Sequence, residues 1–158
     1  MIDLALAKID KLDIDRPYLS KSYSVDMLQI EEAEKIIGGS FPPSYKDFLL
    51  SLGSGDFCGI EFYGLVPNRN DLQEIPNVIW TSKSLHDCGE LHKDFLAVES
   101  LGDGIYACIS IGSNDEDSPV YEHDIANGTC SLDDEMLSKS FAEYFYNRIT
   151  EALEELSL

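Results

Sequence analysis

The stretch that most limits what this chain can become is 26–57, DMLQIEEAEKIIGGSFPPSYKDFLLSLGSGDF. Ile30, Ala33, Ile36 and Ile37 recur at helical spacing with Glu31, Glu32, Glu34 and Lys35 between them, which predicts an amphipathic helix. Asp26 stands at the N-cap position and Gln29 follows three residues later, so both halves of a capping box are available. Gly38-Gly39 stops the helix, because glycine enters the left-handed conformation without a Cβ clash. Phe41-Pro42-Pro43 then restarts the chain as a second helix. Proline suits a first helical position, where its missing N–H would have been unpaired anyway. Tyr45, Phe48, Leu49 and Leu52 form the apolar stripe of that helix, which runs out at Gly53-Ser54-Gly55. Two short amphipathic helices joined by a stiff elbow must bury their stripes on something else, and a sheet is the expected support.

The rest of the chain supplies one. Residues 2–12 predict a short helix with Ile2, Ala5, Leu6 and Ile9 on one face, and Pro17 with the Ser/Tyr/Lys stretch after it marks a loop. Residues 58–66, aromatic and β-branched and closed by Pro67, read as one strand. Leu72, Ile75, Val78, Ile79 and Leu85 have a helical look, but Pro76 breaks the middle, so a loop and then a helix from about residue 77 are expected. Residues 95–99 and 105–111 read as strands around Gly102-Asp103-Gly104, which has hairpin turn chemistry. A loop at 112–118 leads to a strand at 120–123, and Asn127-Gly128 turns the chain towards a last short strand near Thr129-Cys130. Ser140-Phe141-Ala142-Glu143 opens a final helix as a capping box, with Phe141, Phe145, Ile149, Ala152 and Leu156 on one face. The expected fold is α+β: a single domain over 1–158, its mostly antiparallel sheet flanked by N-terminal helices and a C-terminal helix.

Ile30…Glu34…Ile37-Gly38…Phe41-Pro42…Tyr45…Phe48-Leu49…Gly53 resembles the signature of the SUKH superfamily, which holds bacterial toxin-immunity proteins and fungal cell-wall synthesis regulators. That pattern is a helix with an embedded Glu, then Leu-Pro-x-x-Tyr-x-x-Phe-Leu, then a glycine turn and a strand; Phe41 replaces the usual Leu. Gly102-Asp103-Gly104 before 105–109, Val120-Tyr121-Glu122-His123-Asp124, and Ser140-Phe141…Tyr144-Phe145 extend the likeness over about residues 24–156. The resemblance implies an immunity protein that binds and blocks a cognate toxin, a nuclease for instance; a cytoplasmic place and a basic toxin domain are expectations drawn from the lack of a signal or span and from the charge. The fungal relatives imply the alternative, an intracellular regulator or scaffold. It marks Glu34, Phe41, Pro42, Tyr45, Phe48 and Gly53 as motif residues with a structural purpose.

Charge points the same way. The chain carries 11 Lys and Arg against 30 Asp and Glu, a formal net charge of −19. Nucleic acid and anionic membrane are poor partners for it, since phosphate binding needs clustered cations. A basic protein is the natural complement, and the field would speed its capture; the bland alternative is that acidity only keeps the chain soluble. The first residues have no long apolar core, so they are not a secretory signal, and no run approaches the roughly 18 apolar residues of a membrane span. Cys58, Cys88, Cys108 and Cys130 lie far apart without a CxxC pair, as free cysteines do.

Catalytic motifs fare poorly. Gly102-x-Gly104-x-x-Ala107 imitates half of a dinucleotide fingerprint, but that motif must open a helix and this one opens a β-type run. Gly53-Ser54-Gly55 lacks the spacing of a nucleophile elbow. His86-Asp87-Cys88…His92 offers three metal-ligand types within seven residues, yet a zinc site wants a fourth, and nothing in sequence fixes it. Asp115-Glu116-Asp117 lacks the glycine and terminal Glu of an EF-hand loop. No metal, no cofactor and no enzymatic activity are expected. Glu34 has neither a second acid nor a base for company, and should instead accept backbone N–H groups at the start of the second helix, near Ser44-Tyr45, where the dipole favours an anion.

The informative charge feature is an interval. Between Lys93 and Lys139 there is no Lys or Arg, while Asp94, Glu99, Asp103, Asp115, Glu116, Asp117, Glu122, Asp124, Asp133, Asp134 and Glu135 fall inside it. Carboxylates on adjacent turns would crowd one rim of the sheet at a cost in repulsion, so that rim is expected to dock a basic partner. Its candidate residues are Asp103, Asp115, Glu116, Asp117, Glu122 and Asp124. Tyr63, Tyr106 and Tyr121 are the candidate aromatic anchors, although core packing is the expectation for at least two of them. The oligomeric state has no signature in the sequence.

Overall fold

Strands in this chain pair in the order in which they are made. The computed structural model describes residues 1–11, 19–21 (as backbone), 24–57, 59–112, 116–128 and 134–156. The elements are α1 (Ile2–Ile9), β1 (Leu19–Lys21), α2 (Met27–Ile37), α3 (Pro43–Leu52), β2 (Gly55–Phe57), β3 (Ile60–Phe62) and α4 (Val78–Asp87); then β4 (Phe95–Gly102), β5 (Ile105–Ser110), β6 (Val120–Asp124), a 3-10 turn (Ile125–Asn127), β7 (Glu135–Ser138) and α5 (Phe141–Leu156). Among the described residues the seven strands form one sheet in the order β1 to β7, every neighbour antiparallel. Antiparallel neighbours can be joined by tight turns, as β2–β3 and β4–β5 are, whereas α2 and α3 stand between β1 and β2, and α4 between β3 and β4. The α+β fold read from the sequence is the one observed.

The elbow forms as its residues require. Asp26 caps α2 by accepting the Gln29 N–H at 2.8 Å, and Gly38 ends it in the left-handed conformation (φ 85°). The reciprocal half of the box is not made. Gln29 instead ties α2 to the 66–70 loop, donating to Val66 O and Asn70 Oδ1 and accepting the Asn68 N–H. Pro43 opens α3, whose Tyr45, Phe48, Leu49 and Leu52 are all buried. Asn77 caps α4 by accepting the Ile79 and Trp80 N–H groups, as the break at Pro76 leads one to expect.

One predicted strand is shortened. Among the described residues of 58–66 only β3 is strand, and a turn at Gly59 (φ 86°) pairs it with β2, with Phe57 opposite Ile60, just after the glycine turn read from the sequence. The chain then leaves the sheet because Gly64 packs against α3's end: a Cβ there would stand 1.8 Å from Gly53 O. The Asp103-Gly104 turn has positive φ at both residues, the geometry that matches the right-handed twist of a hairpin. The short strand expected near Thr129-Cys130 lies outside the described residues, as do Cys58 and Asp115; the last strand described is β7.

Two cores result. α1, α2, α3 and α5 cover one face of the sheet, over Phe62, Leu96, Val98, Ala107, Ile109 and Val120. At its centre Tyr45, Phe48, Phe62, Phe141 and Phe145 pack together, Tyr45–Phe141 and Phe62–Phe145 edge to face with centroids at 4.8 Å and Tyr45–Phe48 and Phe141–Phe145 stacked. Such pairs add about 0.5–1.5 kcal/mol each beyond their buried area. On the other face the end of α4 and the loop after it place Leu85 and Leu91 over Phe95, Ala97, Cys108 and Tyr121. Ser82 Oγ also accepts the Ala97 N–H at 3.1 Å, so the edge of β4 that β3 leaves unpaired is closed by a helix. In α5 the expected face is buried as far as Ala152, while Leu156 is exposed. Glu143 accepts the Ser140 cap's partner role from one residue earlier: its N–H goes to Ser140 Oγ and its carboxylate takes the Lys139 N–H.

Candidate partner-binding surface

Glu34 sits in the last turn of α2, and its Oε1 accepts the Phe41 N–H at 2.7 Å and pairs with Lys46 Nζ at 2.8 Å. It therefore binds a backbone N–H at the elbow, but three residues before the predicted place. Near Ser44 the anion is Asp117, whose Oδ1 accepts the Ser44 N–H at 2.9 Å, and the Tyr45 N–H is taken by Pro42 O. Phe41, Tyr45 and Phe48 are buried, and the Tyr45 hydroxyl donates to Tyr63 O at 2.7 Å. Burial holds the Tyr45 hydroxyl well above its ordinary pKa. The motif residues are thus a bracket that fixes helix to strand, with Gly53 O receiving the Leu65 N–H at 2.8 Å.

The candidate carboxylates do not share one rim. Asp103 lies in the β4–β5 turn and Asp124 pairs opposite Ile105, so both stand at one end of the sheet. Glu116 and Asp117 precede β6 at the other end, where Val120 faces Ile109; the length of β5 separates the two groups by roughly 17 Å. Glu122 lies opposite Ala107 and Glu135 on the helix-covered face, and Asp115 lies outside the described residues. Asp117 is in part spoken for, as the acceptor that caps α3, and Ser44 in turn accepts the Ala142 N–H through Oγ at 3.3 Å.

Glu99, one of the acids in the cation-free interval, points inward. β4 carries an irregularity between Ala97 and Glu99, and such a bulge sets two successive side chains against one partner residue. Val98 and Glu99 both turn to the helices. Glu99, 2% exposed, accepts Arg148 Nη2 at 2.6 Å and the Tyr144 hydroxyl at 2.7 Å. The charge pair raises the Arg148 guanidinium's pKa, and burial with the adjacent carboxylate raises that of the Tyr144 hydroxyl. Sequence reading passed over this triad. Its available signal was Tyr144 and Arg148, one helical turn apart on α5's otherwise apolar side.

Of the three candidate tyrosines, Tyr121 belongs to the core on the opposite face, Tyr63 joins the main core, and Tyr106 packs against both. Tyr121 is buried against Phe95. Tyr63 is buried as well, while Tyr106 is half-buried. Burial pushes the Tyr63 hydroxyl up to about 12, helped by Tyr106 and Glu61 and opposed by a hydrogen bond with Ser100. Tyr106 is raised by burial and by the Glu90 carboxylate. Beside them Asp56 and Glu61 stand directly opposite one another on β2 and β3, and burial together with Asp56 raises the Glu61 carboxyl. Asp56, Glu61 and Glu90 fall outside the cation-free interval, so sequence reading did not join them to Tyr106; sheet adjacency does.

His86 Nε2 contacts Phe95 O at 2.9 Å, His92 Nδ1 lies 3.5 Å from Asp94 Oδ2, and Cys88 is exposed at the end of α4. Among the described residues no three His, Cys, Asp or Glu side chains converge as metal ligands. His123, buried, bridges Glu90 O at 2.7 Å and Asp134 Oδ2 at 3.1 Å, which makes it a tie between β6 and the loop after α4. No helix among the described residues is long and apolar enough to cross a membrane. A family model described as SMI1-KNR4 cell-wall, one of the SUKH models, matches residues 28–145, well over half of the chain. No curated protein matches it.

Proposed function

Since this chain belongs to the SUKH family, we propose that it works by occupying another protein: an immunity protein that neutralises a basic toxin domain of the nuclease kind. The observation that carries this reading is where the charges point. Lys46 is committed to Glu34, Arg148 to buried Glu99, Arg69 to Asp71, and Lys8 to Thr150 and the Tyr146 ring. β4, β5 and β6 bring no cation at all, and the net charge is −19. A nucleic-acid-binding face must be cationic, so a surface of this kind competes with phosphate for it. Steering would make capture fast, and a few buried contacts would make release slow. An interface of about 800 Å² per partner is roughly a tenth of the 8532 Å² surface.

The test pairs the chain with the toxin-like domain encoded beside it, if there is one, by calorimetry at low and high salt and by rescue of cells expressing that domain. Tight binding that weakens with salt, together with rescue, supports the reading; the lack of both binding and rescue refutes it. The description of the matched family, which names the cell wall, favours a second reading as a regulator of wall synthesis. That reading requires a partner in the wall-building machinery and no rescue from a toxin.

A further inference from the structure

The sheet has a covered face and a partly open one. α1, α2, α3 and α5 lie on the first. On the second, among the described residues, α4 and the loop after it cover Phe95, Ala97, Cys108 and Tyr121, with Tyr106 and Ile125 packed at the margin. The alternation of side chains along a strand puts Asp56, Glu61, Ser100 and Tyr106 together on what remains, because Phe57, Phe62 and Ala107 face the helices and Ser100 pairs with Tyr106. Asp56 and Ser100 are exposed, and Glu61 and Tyr106 half so.

We propose that this strip of sheet, from Asp56 and Glu61 across Ser100 to Tyr106 and Glu90, seats a cation-rich segment of the partner protein, with an Arg or Lys side chain lying on the Tyr106 ring. The inference rests on the binding reading above and names its surface. Charge complementarity selects the occupant. Asp56 and Glu61 face each other with no described cation between them, and like charges directly opposite in a sheet repel. The burial and repulsion that raise the Glu61 carboxyl are relieved when a guanidinium or ammonium arrives. A cation within about 6 Å of a tyrosine ring gains further attraction from the ring's quadrupole, and Glu90 beside Tyr106 gives it a second acceptor. The middle of the strip is held from beneath: Tyr63 is buried and receives Tyr45's hydroxyl on its carbonyl, so its backbone is already ordered before binding. Other acidic places lack this combination. Glu31 and Glu32 on α2 stand among apolar residues and Lys35, and Glu151 on α5 is paired with Arg148. A second copy of the chain is repelled by its own charge.

The experiment titrates the isotope-labelled full chain with a hexa-arginine peptide at low salt and follows backbone amides by NMR. Shifts concentrated at 55–63, 90 and 100–106 are expected. The double variant Asp56→Asn/Glu61→Gln, which keeps size and polarity, should weaken binding severalfold, and Tyr106→Ala by about threefold, the value of an exposed cation–π contact. Should Tyr106→Ala unfold, the double variant still decides. Shifts centred on α2 or on the end of α5, unaltered affinity of the double variant, or self-association through the strip would each overturn the proposed surface while leaving the binding function standing. No peptide binding anywhere, with no capture of a basic toxin domain, would take down both.

Discussion

Arg148→Met should destabilise this fold more than any other single loss of a surface-reaching side chain. Glu99 is 2% exposed, with Arg148 2.6 Å from Oε1 and the Tyr144 hydroxyl donating to Oε2 at 2.7 Å. Removing the cation leaves a buried carboxylate unpaired, which typically costs about 3–5 kcal/mol. The Arg148 side chain is 29% exposed, so water reaches the gap and the lower end, about 3 kcal/mol, applies. Tyr144→Phe removes a hydrogen bond to a charged group, worth about 1.5–3 kcal/mol. Glu99→Met orphans the Tyr144 hydroxyl at about 1–3 kcal/mol, while Arg148 can still turn to Glu151, 3.5 Å away. The single losses therefore sum to about 5.5–9 kcal/mol. The triple variant Glu99→Met/Tyr144→Phe/Arg148→Met leaves no buried polar group unpaired and should lie within about 1 kcal/mol of the parent, as replaced buried ion pairs often do. Urea unfolding followed by far-UV circular dichroism gives the values; at about 1–3 kcal/mol per molar of urea, the Arg148→Met midpoint should fall by about 1 M or more. A triple variant as weak as the sum of the singles, or Arg148→Met indistinguishable from the parent, refutes the reasoning.

Two caps of the elbow should behave alike. Glu34→Gln weakens the Phe41 N–H bond and loses Lys46, and Asp117→Ala leaves the Ser44 N–H without its acceptor; each should cost about 1 kcal/mol and leave partner affinity unaltered, so lost binding at an unchanged melting temperature would contradict the structural role. Alkali should act through the tyrosines. The Tyr63 hydroxyl is pushed up to about 12, and those of Tyr45 and Tyr144 are raised too, so the fold favours their neutral forms. Stability is then whole below the unfolded tyrosine value of about 10 and falls as pH rises through the folded values. Tyrosinate absorbance followed alongside circular dichroism should show these rings ionising with unfolding, and full ionisation in a still-folded chain would be the opposite result.

What the sequence determined by itself is whatever depends on near neighbours. The Asp26 cap, the glycine stop after Ile37, Pro43 at a first helical turn, the buried stripe of α3 and the Asp103-Gly104 hairpin are each decided within a few residues, because capping, φ preference and periodicity are local forces. From these and the antiparallel run of strands the α+β fold follows. Tertiary structure alone decided which charges face out and which side chains meet. Glu99 reads like its acidic neighbours, yet the irregularity at Ala97/Glu99 turns it inward to Arg148. His86, Cys88 and His92 read as a cluster, yet the end of α4 parts them. Asp56 and Glu61 gather with Tyr106 from different strands because antiparallel pairing fixes register across the sheet, and with it the face each residue shows. Register is set by the core as a whole, so no window along the chain contains it.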